Sequence, residues 1–238
     1  MNSGPLLFLG LFATMAVSWI GFILTPQMQL TGLSQTNTVA VGNTLPETYP
    51  VAPSGEAHAG AEVYRANGCA ACHTQMVRPS DLGSDLRQEW GVRRSVAEDY
   101  LLREPVMPGS VRIGPDLANY ASRADTNDIN RLYLRLYDPK QITHGTLMPP
   151  YRFLFDTRKI LFFPSTNAFV PPDADAPPAG YEIIPRPEAR ALVAYMLSLR
   201  QNGYLYEAPP PESLRAKATN AVPTNAAPAA AKPAPAPK

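Results

Sequence analysis

The sequence predicts a mainly α-helical protein, with one N-terminal transmembrane helix followed by a small all-α domain carrying long irregular loops. Three observations support this reading. Residues 5 to 25 read PLLFLGLFATMAVSWIGFILT without a charge. Three later segments place apolar residues at helical spacing. The 27 prolines of the 238-residue chain fall mostly outside those segments, where they interrupt regular structure. The length suits one domain plus extensions, at roughly 100 to 200 residues per domain. A formal net charge of +1 offers no basic face for nucleic acid.

After four N-terminal residues, the run from 5 to 25 would span roughly 31 Å as a helix, enough for a bilayer core of ~30 Å. A cleaved signal needs a basic start, and Met1 to Gly4 carry no Lys or Arg. No cysteine follows the run to accept a lipid, so the expectation is a retained protein anchor. No Lys or Arg occurs before Arg65, so charge does not orient it. Residues 26 to 55 are polar and read as an extended connector lying along the domain or a partner.

The domain is expected over residues 56 to 205. Its first helix, from Glu56 toward Cys69, sets Gly60 and Tyr64 four apart, with Gly68 closing it. A second spans 126 to 137, capped by Asp125 or Thr126, with Ile129, Leu132, Tyr133 and Leu136 as its stripe and Asp138 and Pro139 as its stop. A third spans 187 to 201, with Pro187 in the first turn and Leu192, Tyr195, Met196 and Leu199 on one face. Residues 206 to 238 are rich in Pro and Ala and read as a disordered tail.

The chemistry lies in the only two cysteines, within Cys69-Ala70-Ala71-Cys72-His73. C-x-x-C-H is the pattern for attaching a c-type haem: two thiols add to the vinyl groups and the next residue offers an imidazole to iron. A redox C-x-x-C belongs instead with a βαβ pattern, and no second Cys or His pair completes a zinc site. One covalent haem c is expected, with Cys69 and Cys72 as thioethers and His73 on the iron. Gly114-Pro115-Asp116-Leu117 is the candidate to hold the other ring nitrogen of His73.

These motifs, with a following Met-Pro and the segment ALVAYMLSL, resemble the class I cytochrome c fold. The resemblance implies that the Pro115 carbonyl accepts a hydrogen bond from His73, and that Gly60 and Tyr64 pack on Leu192 and Tyr195. The sixth ligand is then sought after Leu117. Met148 in THGTLMPPY fits, leaving enough chain to cross the haem face. Met107 and His144 stay open as alternatives. Met76 is too close to His73 and Met196 belongs to a helix stripe. His58 and His144 otherwise read as surface or structural histidines. Arg78 and Arg112 are possible propionate contacts, since guanidinium pairs with carboxylate, or else surface charges.

A closer resemblance runs through CHTQMVRP, VMPGSVRIGPDLA, RLYLRLYDPKQI and TLMPPYRFLF to the mono-haem subunit (subunit II, FixO/CcoO type) of cbb3-type cytochrome c oxidases. It covers roughly residues 5 to 155 and 187 to 200, while 159 to 184 and the tail depart from it. It implies a subunit of a bacterial inner membrane, single-pass, with its haem on the periplasmic or outer face. Such a subunit performs no catalysis itself. It takes single electrons from a soluble or membrane cytochrome c and passes them, beside other cytochrome subunits, to a haem-copper catalytic subunit in aerobic respiration. The polar run from Thr74 to Ser95 reads as docking surface. A nitric oxide reductase cytochrome subunit, a free-standing anchored shuttle and a haem enzyme or sensor remain alternatives.

Overall fold

The computed structural model describes residues 3–38, 47–124, 128–172 and 176–212. Along the chain run α1 (Gly4–Trp19), α2 (Thr25–Thr31), β1 (Thr36–Asn37), β2 (Thr48–Tyr49), α3 (Gly55–Ala66), α4 (Tyr120–Arg123), α5 (Ile129–Tyr137), β3 (Phe155–Lys159), β4 (Tyr181–Pro185) and α6 (Pro187–Ser198). The protein is mainly helical, with two short antiparallel strand pairs among the described residues.

The apolar helix is longer than its uncharged run suggested. It extends from Gly4 to Thr31, 28 residues, and its most apolar window is wholly unburied. The uncharged apolar run ends at Thr25, and Pro26 lacks the N–H that an α-helix needs. The chain passes the proline by widening into a π turn over Ile20–Leu24, in which the Thr25 N–H reaches the Ile20 carbonyl. The Thr25 hydroxyl donates to the same carbonyl at 2.9 Å.

The domain is organised on the crossing of α3 and α6. Ser54 caps α3, its Oγ accepting the Ala57 N–H at 3.2 Å, and Gly68 ends the segment at φ +67°. A Cβ on Gly60 would lie 1.9 Å from the Ala191 carbonyl oxygen, so only glycine permits this approach. One turn on, the Tyr64 and Tyr195 rings meet at 5.3 Å, with Leu192 buried beside them. α6 stops at Ser198, before Gln201, because Gln201 is held elsewhere: its N–H donates to Asn119 Oδ1 at 2.8 Å and its Oε1 accepts from Ser95 Oγ at 2.6 Å.

α5 is capped by Asp128, which accepts the Arg131 N–H at 2.9 Å; Asp125 and Thr126, the expected caps, lie outside the described residues. Leu132 and Leu136 are buried, whereas Ile129 sits on the rim of the stripe, exposed. Much of the segment that departed from the expected pattern belongs to a hairpin. β3 and β4 pair from Phe155↔Pro185 to Lys159↔Tyr181, and Phe169 bridges to Ile183. Phe155 and Phe169 stack on Tyr133 and Tyr137 of α5, with centroids 5.2 to 6.4 Å apart.

The connector is fastened to the domain. β1 pairs with β2, and Gln35 Nε2 donates to the Pro50 carbonyl at 2.8 Å. Tyr49 is buried, its hydroxyl donating to Asp99 Oδ1 at 2.5 Å. Asp99 pairs with Arg93 at 2.6 Å, both side chains wholly buried, and Arg93 Nε donates to the Gly203 carbonyl at 2.6 Å. The polar run after Cys72, expected as docking surface, is divided: Thr74, Gln75, Val77, Asp85 and Arg93 are buried, whereas Met76, Ser80 to Leu82, Arg87 to Glu89 and Arg94 are exposed. Residues 213–238 of the Pro/Ala tail lie outside the described residues.

Candidate functional site

After Gly68 the chain closes one tight turn over Cys69–Ala71. The Ala71, Cys72 and His73 N–H groups donate to Gly68, Cys69 and Cys69 carbonyls at 2.9, 3.1 and 3.0 Å. This turn presents Cys69, Cys72 and His73 from one short stretch. Both cysteines are free and half-buried. Burial pushes the Cys69 thiol up to about 11, so it is an inert thiol rather than a ready thiolate.

His73 Nδ1 lies 2.8 Å from the Pro115 carbonyl oxygen. A carbonyl only accepts, so the proton is on Nδ1 and Nε2 carries a free lone pair. Burial lowers the imidazole's proton affinity, and the Pro115 contact opposes this only in part. Gly114 packs on the ring: a Cβ there would stand 2.2 Å from His73 Cε1.

A wall of hydrogen bonds holds this arrangement. The Ile113 and Gly114 N–H groups both donate to the Cys72 carbonyl, at 3.0 and 2.9 Å, and Leu117 N–H donates to Thr74 O at 2.7 Å. Asp116, wholly buried, accepts from Thr74 Oγ1 at 2.6 Å and from the Met76 and Ala118 N–H groups at 2.8 Å each. Asp85, also wholly buried, accepts from the Arg78 N–H at 2.7 Å, Arg78 Nη2 at 3.0 Å and Arg112 Nη1 at 2.6 Å. Burial alone would raise the Asp85 carboxyl; hydrogen bonds from Arg78 and Arg112 outweigh it and hold the group below its ordinary range. Arg78 and Arg112 are thus both engaged with a protein carboxylate.

Met148 is half-buried and packs on the hydrophobic core, as does Met107. Their segments are held by different partners. Met107 precedes Pro108, whose carbonyl accepts the Gln75 N–H at 2.8 Å, and Gly109 lies close against the His73 carbonyl. That segment covers the back of the Cys-His turn. The segment after Met148 is pinned through the Tyr151 N–H to the Leu136 carbonyl at 2.8 Å, and the Tyr151 hydroxyl, raised mainly by burial, also senses Cys69 and Cys72. His58, His144 and Met76 are exposed, and Met196 is in the core.

Sequence reading missed Asp85 and the inward role of Thr74. Neither residue type carries a signal for burial. Asp116 was visible as part of Gly-Pro-Asp-Leu, without its partners.

Two thiols and an imidazole on one turn, with Nδ1 engaged, Nε2 available and a glycine against the ring, form a donor set that fits a haem; half-buried Ala70, Tyr120, Leu134, Met148 and Tyr151 pack against the same core. On a small helical domain behind an apolar helix, this is what a cytochrome requires. The chain matches the family described as cytochrome c oxidase, mono-heme subunit/FixO over residues 12–162. That is more than half of its length, and the chain belongs to this family. It is accordingly an oxidase subunit associated with one haem. The matched span includes the Cys-His turn, Gly114-Pro115-Asp116 and Met148, and it ends at the start of the hairpin loop. No curated protein sequence matches the chain.

Proposed function

We propose that this chain is a membrane-anchored c-type cytochrome that relays single electrons to the haem-copper catalytic subunit of a cbb3-type oxidase. The observation that carries this reading is the His73 Nδ1 to Pro115 contact at 2.8 Å, beside two thiols on the same turn. A bound haem supplies one-electron redox chemistry. Cys69 and Cys72 would hold it covalently, Pro115 fixes the His73 tautomer, and His73 and Met148 would supply the protein donors to its iron, which suits a relay. The buried Asp85 favours a structural role for Arg78 and Arg112 over propionate binding. The anchor is a single span with the domain on the periplasmic or outer face, where a donor cytochrome c delivers electrons. The division into an anchor from residue 5, a connector to 55, a haem domain to 205 and a tail belongs to the same proposal, with the anchor helix extended to Thr31.

Gentle solubilisation of membranes followed by affinity purification of the chain tests the reading. The expected result is a copper-containing subunit in the same particle and haem stain that persists on this chain in a denaturing gel. Recovery of the chain alone, or loss of haem on denaturation, overturns it. Cys69→Ala should sharply reduce the persistent stain.

A further inference from the structure

The carbonyl that accepts from His73 belongs to Pro115, which has no N–H of its own to donate, so its position depends on its neighbours. Gly114 is tied to Cys72, and Asp116 to Thr74, Met76 and Ala118. Arg112 adds bonds from one side chain: Nε to Thr74 Oγ1 at 2.7 Å, Nη2 to the Met76 carbonyl at 2.5 Å and Nη1 to Asp85 Oδ1 at 2.6 Å. A guanidinium is a rigid fork, so fixing one edge aims the others. Its closest carboxylate is Asp85, since Asp116 stands at 3.6 Å, and the Trp90 ring lies 5.6 Å from its centre. Asp85 and Trp90 both come from the polar run after the Cys-His turn, which thereby reaches round to hold the loop carrying Pro115.

We propose, resting on the assignment of His73 as a haem ligand, that Asp85 is a positioning residue for the proximal histidine. Through Arg112 it holds residues 112 to 116 against 72 to 76, and so sets the hydrogen bond from His73 Nδ1 to Pro115. A hydrogen bond at Nδ1 makes the imidazole a stronger donor and favours the ferric state. Loosening it raises the midpoint potential. Charge alone behaves differently: loss of the Asp85 anion raises the potential, and loss of the Arg112 cation lowers it.

The signs separate the two mechanisms. Midpoint potentials are measured on the solubilised, full-length complex carrying Asp85→Asn, Arg112→Gln or Arg112→Lys. Positioning gives an upward shift in all three, with the ferrous-to-ferric ratio at the wild-type midpoint rising about threefold, as expected for loss of one hydrogen bond of ordinary strength. A downward shift for Arg112→Gln, or no shift for Arg112→Lys, overturns the proposal. Arg112→Lys keeps the charge and the aliphatic stem, so it remains informative if Asp85→Asn does not assemble. A wild-type chain without persistent haem stain would instead overturn the attachment of haem at Cys69 and Cys72, and with it the proposed function.

Discussion

The two segments that flank the candidate haem site are built in opposite ways. On the histidine side, residues 72 to 78 and 111 to 118 are joined by backbone pairs and by two wholly buried carboxylates, each accepting at least three hydrogen bonds. On the methionine side, residues 143 to 150 are mostly exposed, with Leu147 81% accessible and Gly145 at φ +73°. This segment hangs between the Thr143 N–H on the Pro139 carbonyl at 3.0 Å and the Tyr151 N–H on the Leu136 carbonyl at 2.8 Å. The Met148 N–H donates to the Thr146 hydroxyl at 3.2 Å, and its side chain packs on the core. The geometry of His73 is therefore over-determined, while the segment carrying Met148 is held mainly at its two ends. On the proposed ligand assignment, ligand exchange belongs on the methionine side.

Four experiments bear on this contrast. Met148→Ala should have the largest effect. Haem stays attached, the potential falls and the reduced protein binds carbon monoxide readily, read from the optical spectrum; an unchanged spectrum and potential would remove Met148 from the iron. Gly114→Ala drives a methyl into the His73 ring and should cost about 1 to 3 kcal/mol of stability, seen as a lower thermal midpoint and a disturbed haem spectrum. Acid provides the third test. The Asp85 carboxyl titrates below its usual 3.8, so its contribution to stability is present above that value and is lost as pH falls through the depressed folded value. The difference in melting temperature between wild type and Asp85→Asn should persist at mildly acidic pH and shrink only below 3.8. Leu147→Ser should have the smallest effect, within about 0.5 kcal/mol in a thermal melt, because the side chain is already in solvent.

Sequence legibility followed the range of the interactions. The Cys-His turn, α3 and α6 are local patterns with strong residue preferences, and they were readable with small errors at the ends. Those errors have tertiary causes: a π turn carries the anchor past Pro26, and Asn119 and Ser95 take Gln201 away from α6. The hairpin of β3 and β4 was not readable, because its stability comes from Phe155 and Phe169 meeting α5 across distant sequence. Within the polar run after Cys72 the sequence did not show which side chains turn inward. Asp85 and Arg93 offset the cost of their burial by pairing inside the protein, Arg93 with Asp99 beyond the run. Arg78 and Arg112, read as possible propionate contacts or surface charges, pair with Asp85, a partner that sequence spacing does not disclose.

The clasp of Tyr49 on Asp99, with Arg93 bridging to Gly203, determines how the domain is carried. A polar connector left loose would be a leash, and a redox centre on a leash finds its partners by random search. Here Thr48 and Tyr49 pair with Thr36 and Asn37, and Tyr49 is tied through Asp99 and Arg93 to Gly203, beyond α6. If the chain relays electrons as proposed, such a mount makes the distance an electron must jump a property of assembly, and a mobile donor has to do the travelling.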